Sequence, residues 1–438
     1  MRKSDLMMGA MVVAAAVSTP GYAQTLEEET RATIATSPVL GAERARLEAV
    51  REARPLAWSE LLPQITLEGS AVDYTRSEAN NFQQVRELPN YWLASLRSST
   101  LLFGSGRVWA STRQARAQIA SAVALYQDAV QNLALELAQA YGEARAARAA
   151  LEAQEQTLTN LQEQERFARA NQREGFLTRT DVAQAEARVA LARSDLSRAR
   201  VRVIQADEAY MRIAGRPPGA LEAPAALTGL PEDLDRALDI AAEHPSLVAA
   251  AANVSASEAS VDAAAASGRM RVFLETNHSR FDAMEYWTDR DLSGFNEDQH
   301  EQTISLRVSV PLFAGGSVRA RTRQQRHLRD AANYELADSQ RRVREAVTVA
   351  FSQLESARAR VESSRIRLEA AELASRGVRR EQQFGQRSMI DVLNQEQELL
   401  SARVGLAEAE RDQMVAERSL ATSVGMIGPL LGQVAEAR

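Results

Sequence analysis

The chain has 438 residues, 45% of them hydrophobic and 25% charged, with a formal net charge of −6 at pH 7. That mild acidity gives no reason to expect nucleic acid as a partner, and the absence of cysteine excludes disulfides, thiolate metal sites and a lipidated N-terminal cysteine. Lys3 is the only lysine, and the four histidines (His244, His278, His300, His327) are scattered without ligand spacing, reading as surface residues.

Residues 1–23 read as a secretory signal: Arg2 and Lys3, an apolar run from Leu6 to Val17, then Gly21-Tyr22-Ala23 before Gln24. About a dozen apolar residues falls short of the ~18 of a spanning helix, and no later run reaches that length. The chain is therefore expected to be exported, and to enter a membrane only as strands. From 28 to 58 the pattern is helical, with a restart at Ser37-Pro38, where serine can cap and proline takes the first turn. After Leu62-Pro63 the period changes to two. Ile65, Leu67, Gly69 and Ala71 alternate with Thr66, Glu68, Ser70 and Val72. One strand is predicted over about 63–74 and, beyond a polar loop, another over about 91–103. Next comes the run from Arg107 to Gln172, 66 residues without proline and with Gly142 as its only glycine. At ~1.5 Å per residue an unbroken helix there is roughly 100 Å long. A shorter helix is expected over 181–213, followed by a proline-bearing linker at 216–233.

The second half repeats the first. Leu102-Phe103-Gly104 matches Leu312-Phe313-Ala314, Gly175 and Asp181 match Gly385 and Asp391, and Gly215 matches Gly425, all at a shift of 210. Earlier in each copy the shift is 207, aligning Ser37-Pro38 with His244-Pro245. Such a register indicates an internal duplication, with repeats over 24–215 and 234–425 and a tail at 426–438. It predicts helices over 234–267, 319–382 and 391–424, and strands over about 270–280 and 302–313 around an acidic loop (Asp282 to Glu301). Each rod also carries a 4-3 seam, Leu133, Leu137, Ala140 and Ala144 in the first and Val343, Val347, Ala350 and Leu354 in the second. Its many alanines favour close lateral packing. Four strands with one apolar face suit a bilayer-crossing barrel wall. The smallest outer-membrane barrels have eight strands, so protomers must share one. The two shorter helices beside each rod add up to its length. That arrangement makes a tube with the strands at one end and the turns at Gly175 and Gly385 at the other.

Leu62-Pro63-Gln64-Ile65, Leu312-Phe313-Ala314-Gly315-Gly316, and the paired segments 175–182 and 385–393 together resemble the outer-membrane efflux protein family, the TolC-like channel-tunnels. The resemblance covers about residues 26–425. It implies a mixed α+β membrane protein: a homotrimer sharing one twelve-stranded outer-membrane β-barrel, four strands per protomer, continued by a long periplasmic α-helical barrel. It implies an exit duct for efflux or type I secretion, docked to a periplasmic adaptor and an inner-membrane pump, in the non-lipidated branch. No cofactor is expected, and no nucleophile–base constellation or phosphate loop suggests an enzyme. The alternative is a periplasmic coiled-coil scaffold or adaptor without channel activity.

At the tips, the resemblance implies that Arg387 tethers a closed iris and that Asp391 lines its constriction, three copies forming an anionic ring. Asp181 is the counterpart of Asp391 in the first copy. Asn394 stands where members often carry a second acid, and Gln382 where some carry tyrosine. Spacing alone predicts that Arg387 and Asp391, four apart, meet on one helix face; both aspartates equally suit the positive end of a helix. Gly175 and Gly385 permit tight turns. Around them Phe176, Leu177, Gln386, Ser388 and Met389 are expected to form an adaptor-docking tip, with burial in the hairpin as the other reading of the apolar three.

Overall fold

The computed structural model describes residues 25–72, 91–283 and 298–426. The expected signal segment, most of both strand-connecting loops and nearly all of the tail lie outside the described residues. The first half runs α1 (Leu26–Thr36), α2 (Pro38–Arg51), α3 (Ala53–Ser59), β1 (Gln64–Val72), β2 (Tyr91–Phe103), α4 (Arg107–Arg173) and α5 (Arg179–Ala214). The second runs α6 (Leu234–Ala241), α7 (Pro245–Ala266), β3 (Arg271–Ala283), β4 (Asp298–Ser309), α8 (Ser317–Gln383) and α9 (Met389–Ser423). Both rods are single helices of 67 residues, as the lack of proline dictates.

Two of the helix restarts fall at prolines, and a third, between α2 and α3, falls at Glu52. Ser37 Oγ accepts from the Leu40 N–H, with Pro38 at the first helical position. The restart at Pro245 corrects the reading of His244 as a surface residue. It is buried and caps α7, Nδ1 accepting from the Ser246 N–H (3.2 Å) and Nε2 donating to the Thr422 carbonyl (3.2 Å).

The strands form one antiparallel sheet in the order β1-β2-β3-β4. Leu67 lies opposite Leu96, Leu274 opposite Leu306 and Val272 opposite Val308, which puts Ile65, Leu67, Leu96, Val272, Leu274, Ile304, Leu306 and Val308 on one face, while Leu93, Leu101, Phe273 and Phe281 lie on the other. Ile65, Leu67, Ile304, Leu306 and Val308 on that face are between 56% and 75% exposed. The other face carries Thr66, Glu68, Arg97 and a Glu275–Arg307 ion pair of 2.6 Å. β3 and β4 extend into the expected acidic loop, reaching Ala283 and starting at Asp298. β4 stops at Ser309, so Leu312 and Phe313, expected within the strand, lie in the turn to α8 with exposures of 94% and 89%. Pro311 has no N–H for the ladder, and Gly315 and Gly316 at φ 58° and 78° turn the chain into the rod.

Away from the sheet, the rods pack through small side chains. Leu133, Leu137, Ala140, Ala144 and Ala147 of α4, and Val347, Ala350, Leu354, Ala357 and Val361 of α8, are buried along the 4-3 spacing, while Val343, expected to open the second seam, is half-buried at its edge. Leu137, Ala138, Ala140 and Tyr141 pack with Leu26, Tyr210, Ala214 and Met414; Val347 to Ala357 pack with Ala237, Ala241, Ala416 and Leu420. Gly142 sits where α4 and α9 nearly touch: a Cβ there would lie 2.5 Å from Met414 Cε and 3.0 Å from Arg411 Cγ. Segment 216–233 lies across the middle of α4. Tyr141 Oη donates to the Glu222 carbonyl (2.7 Å), and Arg148 donates to the Gly219 carbonyl (2.6 Å). Beside it Glu29, 1% exposed, accepts from Tyr210 Oη (2.6 Å) and Arg216 Nε (3.1 Å). Burial, then the bond to Glu29, push the Tyr210 phenol far up, so it stays a neutral donor. Among the described residues no helix is long and apolar enough to cross a membrane.

Candidate functional site: the paired helix tips

Each rod ends in the same turn. Gly175 and Gly385 adopt φ 80° and 72°. The N–H of each bonds back three residues, to Gln172 and Gln382, and the next N–H bonds back five, from Phe176 to Asn171 and from Gln386 to Glu381. These paired bonds satisfy the last carbonyls of a helix, and glycine alone adopts the left-handed position freely. Three residues on, each returning helix opens with a capping box. Thr178 Oγ1 accepts from the Asp181 N–H (3.2 Å) while the Thr178 N–H donates to Asp181 Oδ2 (2.8 Å). Ser388 and Asp391 repeat this at 3.3 and 3.1 Å.

This corrects the expected geometry of Arg387 and Asp391. The helix begins at Met389 with Ser388 as its cap, so Arg387 precedes it and the four-residue spacing does not place the pair on one face. Arg387 Nε instead donates to Glu381 Oε2 of α8 (2.8 Å). Hydrogen bonds from the Ser388 side chain and backbone, with a smaller pull from Arg387, hold the Asp391 carboxyl below its ordinary range.

The apolar candidates divide. Phe176 is 79% exposed, whereas Met389 is buried with Leu393 against Leu161, Ala168, Ala185 and Val189, and Leu177 packs at the edge of that cluster. Phe384, which the sequence reading passed over, is as exposed as Phe176; its place beside Gly385 was its only signal. Gln382 Nε2 contacts Met389 Sδ at 3.4 Å.

Several polar links join the α4–α5 hairpin to the α8–α9 hairpin, among them Arg145–Glu410, Glu143–Arg411 and Arg202–Glu408, and two lie closer to the tips. Arg188 of α5 donates to Asn394 Oδ1 (3.0 Å). Higher up, Asn160 of α4 donates to Glu396 Oε2 (2.9 Å), whose other oxygen accepts from Ser375 (3.0 Å) and Arg379 Nε (2.7 Å). Glu396 is 1% exposed, and this set meets the need of a buried carboxylate for partners. Neither link was read from the sequence, although a trace was present: Arg379–Glu396 repeats Arg169–Glu186 at the shift of 210, and both are ion pairs. Among the described residues no group of His, Asp or Glu is arranged to hold a metal.

The sequence profile of outer membrane efflux proteins matches residues 31–216 and 238–426, one segment in each half and most of the chain. The chain belongs to the outer membrane efflux protein family. Within curated proteins, this efflux-family chain is 30% identical over 285 residues to outer membrane efflux protein BepC of Brucella suis, covering 64% of this chain and 61% of that one. It is 29% identical over 133 residues to the alkaline protease secretion protein AprF of Pseudomonas aeruginosa, covering 30% of this chain and 28% of that one. The described fold is similar to the outer-membrane channel OprN, with a TM-score of 0.77 at 23% identity over 91% of this chain and 89% of that one. It is also similar to the outer membrane protein VceC of Vibrio cholerae, at 0.76 and 19% over 91% and 96%. The likeness to these solved structures is one of fold: a four-stranded sheet on long paired helices.

Proposed function

We propose that the chain is one protomer of a trimeric outer-membrane exit duct, passing substrates outward from an inner-membrane pump and periplasmic adaptor in an efflux or type I secretion system. The observation that carries this reading is the sheet. Its two edges, β1 and β4, have no neighbouring strand among the described residues, and Ile65, Leu67, Leu96, Ile304, Leu306 and Val308 are exposed together on one face. An amphipathic sheet of four strands is stable in a bilayer only when copies close it into a barrel; three copies supply twelve strands. The same exposed face disfavours a water-soluble scaffold.

The helix tips form the gate in this reading. Opening moves the α8–α9 hairpin relative to α4–α5, so Asn160–Glu396 and Arg188–Asn394 restrain it within each protomer. Asp391 lines the constriction and Arg387, held to Glu381, fixes the turn that presents it. Asp181 plays the equivalent part in the first hairpin, with no second acid beside the ring because Asn394 is neutral. Phe176, Phe384 and the Gln386–Ser388 turn meet the adaptor, since exposed aromatics at a tip are the usual anchors of a partner surface.

Extraction and mass test the shared barrel. Protein that leaves outer membranes only with detergent, and has three times the chain's mass in it, supports the reading. A water-soluble monomer overturns it.

A further inference from the structure

The sheet-proximal ends of the rods carry a charge pattern that a duct does not itself require. Both rods begin at one level: Ser105 Oγ, ahead of α4, donates to the Met270 carbonyl before β3 (2.6 Å). Likewise a Cβ on Gly268, just past α7, would lie 2.9 Å from Val318 Cγ1 at the start of α8. From Ser317 to Arg329, α8 holds five arginines and His327 and no acid. Arg329 pairs with Asp330. Arg319, Arg323 and Arg326 are exposed and have no carboxylate partner among the described residues.

These three share one helix face by their spacing of four and three. At the shift of 210 the same face of α4 carries Trp109, 62% exposed, and Arg116. Followed down α4 in steps of about 3.6 residues, that face reaches Tyr141 and Arg148, which segment 216–233 covers. In the proposed tube this segment lies outside, because three copies of it inside would plug the lumen. The arginines therefore point outward too. Immediately before them stand Leu312 and Phe313, 94% and 89% exposed, and before those the apolar strand face. Exposed side chains thus pass from aliphatic to aromatic to cationic within about 15 Å of the start of α8, the order of a membrane's hydrocarbon, interface and headgroups.

We propose that Arg319, Arg323 and Arg326, with Arg116 and Trp109 alongside, bind the phosphates of anionic phospholipids in the periplasm-facing leaflet of the outer membrane. The inference rests on the outer-membrane placement proposed above. Guanidinium groups suit phosphate because they donate paired, charge-assisted hydrogen bonds, and clustered basic residues beside a membrane segment attract anionic lipid. The band anchors the tube's height and angle in the bilayer while the tips move.

The test uses full-length protein in non-ionic detergent, titrated with mixed micelles of phosphatidylglycerol or phosphatidylcholine, with bound lipid counted by native mass spectrometry. Wild type is expected to retain phosphatidylglycerol over phosphatidylcholine by about tenfold, falling as salt is raised. The R319Q/R323Q/R326Q variant is expected to lose that preference, and the corresponding triple lysine variant to keep most of it. Equal retention of the two lipids by wild type, or an unchanged preference in the glutamine variant, overturns the proposal. A glutamine variant that falls apart into monomers also overturns it, assigning the arginines to contacts between protomers. Conductance of the same wild-type preparation separates the two readings: a conducting protein without lipid preference loses only this inference, and a non-conducting one loses the duct.

Discussion

Asn160 and Glu396 lie 236 residues apart in the chain, yet the amide of one donates to the buried carboxylate of the other at 2.9 Å, tying the two hairpins together above their tips. Asn160→Ala removes a donor without adding charge. It is expected to cost about 1–3 kcal/mol, because a buried carboxylate oxygen loses its partner, and to raise resting conductance in a planar bilayer. Lower thermal stability with unchanged conductance would make the link purely structural.

Arg387 tests which carboxylate matters at the second tip. Its hydrogen bond runs to Glu381, so Glu381→Gln and Arg387→Gln are expected to produce the same rise in conductance, with no further rise in the double variant. Additive effects would place Arg387 in a contact with another partner.

The capping boxes give a pH dependence with a definite sign. Asp391 has a folded-state pKa below its unfolded value. Its contribution to the start of α9 is therefore fully present above the ordinary aspartate range and is lost as pH falls through the folded value. Cleavage of the 384–388 turn by an acid-tolerant protease is expected to rise below about pH 4 in wild type, and to be high and independent of aspartate titration in Asp391→Ala. In the first hairpin, Thr178→Ala is expected to cost about 1 kcal/mol and to loosen the 174–178 turn in the same assay.

Gly142 lies at the close approach of α4 and α9. Alanine meets the flexible end of Met414 and is expected to be nearly tolerated. Valine drives its branches towards the Met414 and Arg411 side chains, with an expected loss of about 1–3 kcal/mol read as a fall in thermal midpoint. Equal midpoints for the two variants would show that α9 yields freely there.

Much of the fold was legible because it is written in local terms. Prolines at 38 and 245 start helices, their absence between 107 and 172 extends one, and alternation around Leu67 and Leu306 marks strands. At the site, Gly175 with Asp181 and Gly385 with Asp391 announced turn and cap together. What stayed hidden was of two kinds. The Arg387–Asp391 expectation treated both residues as helical, whereas Ser388 caps the Asp391 N–H and the helix begins at Met389, leaving Arg387 outside it. Arg188–Asn394 and Asn160–Glu396 join residues more than 200 apart, and such contacts leave no periodicity; only the repeated Arg–Glu pair hinted that polar links cross these helices.

The most direct test of the duct is single-channel conductance of the purified protein in a planar bilayer, wild type beside Asn160→Ala with Arg387→Ala. Small wild-type steps that grow several-fold in the double variant are expected, because the proposed restraints at the tips limit the opening. Large wild-type steps that the substitutions leave unchanged would contradict a gate at this end, and folded protein that conducts nothing would contradict the duct itself.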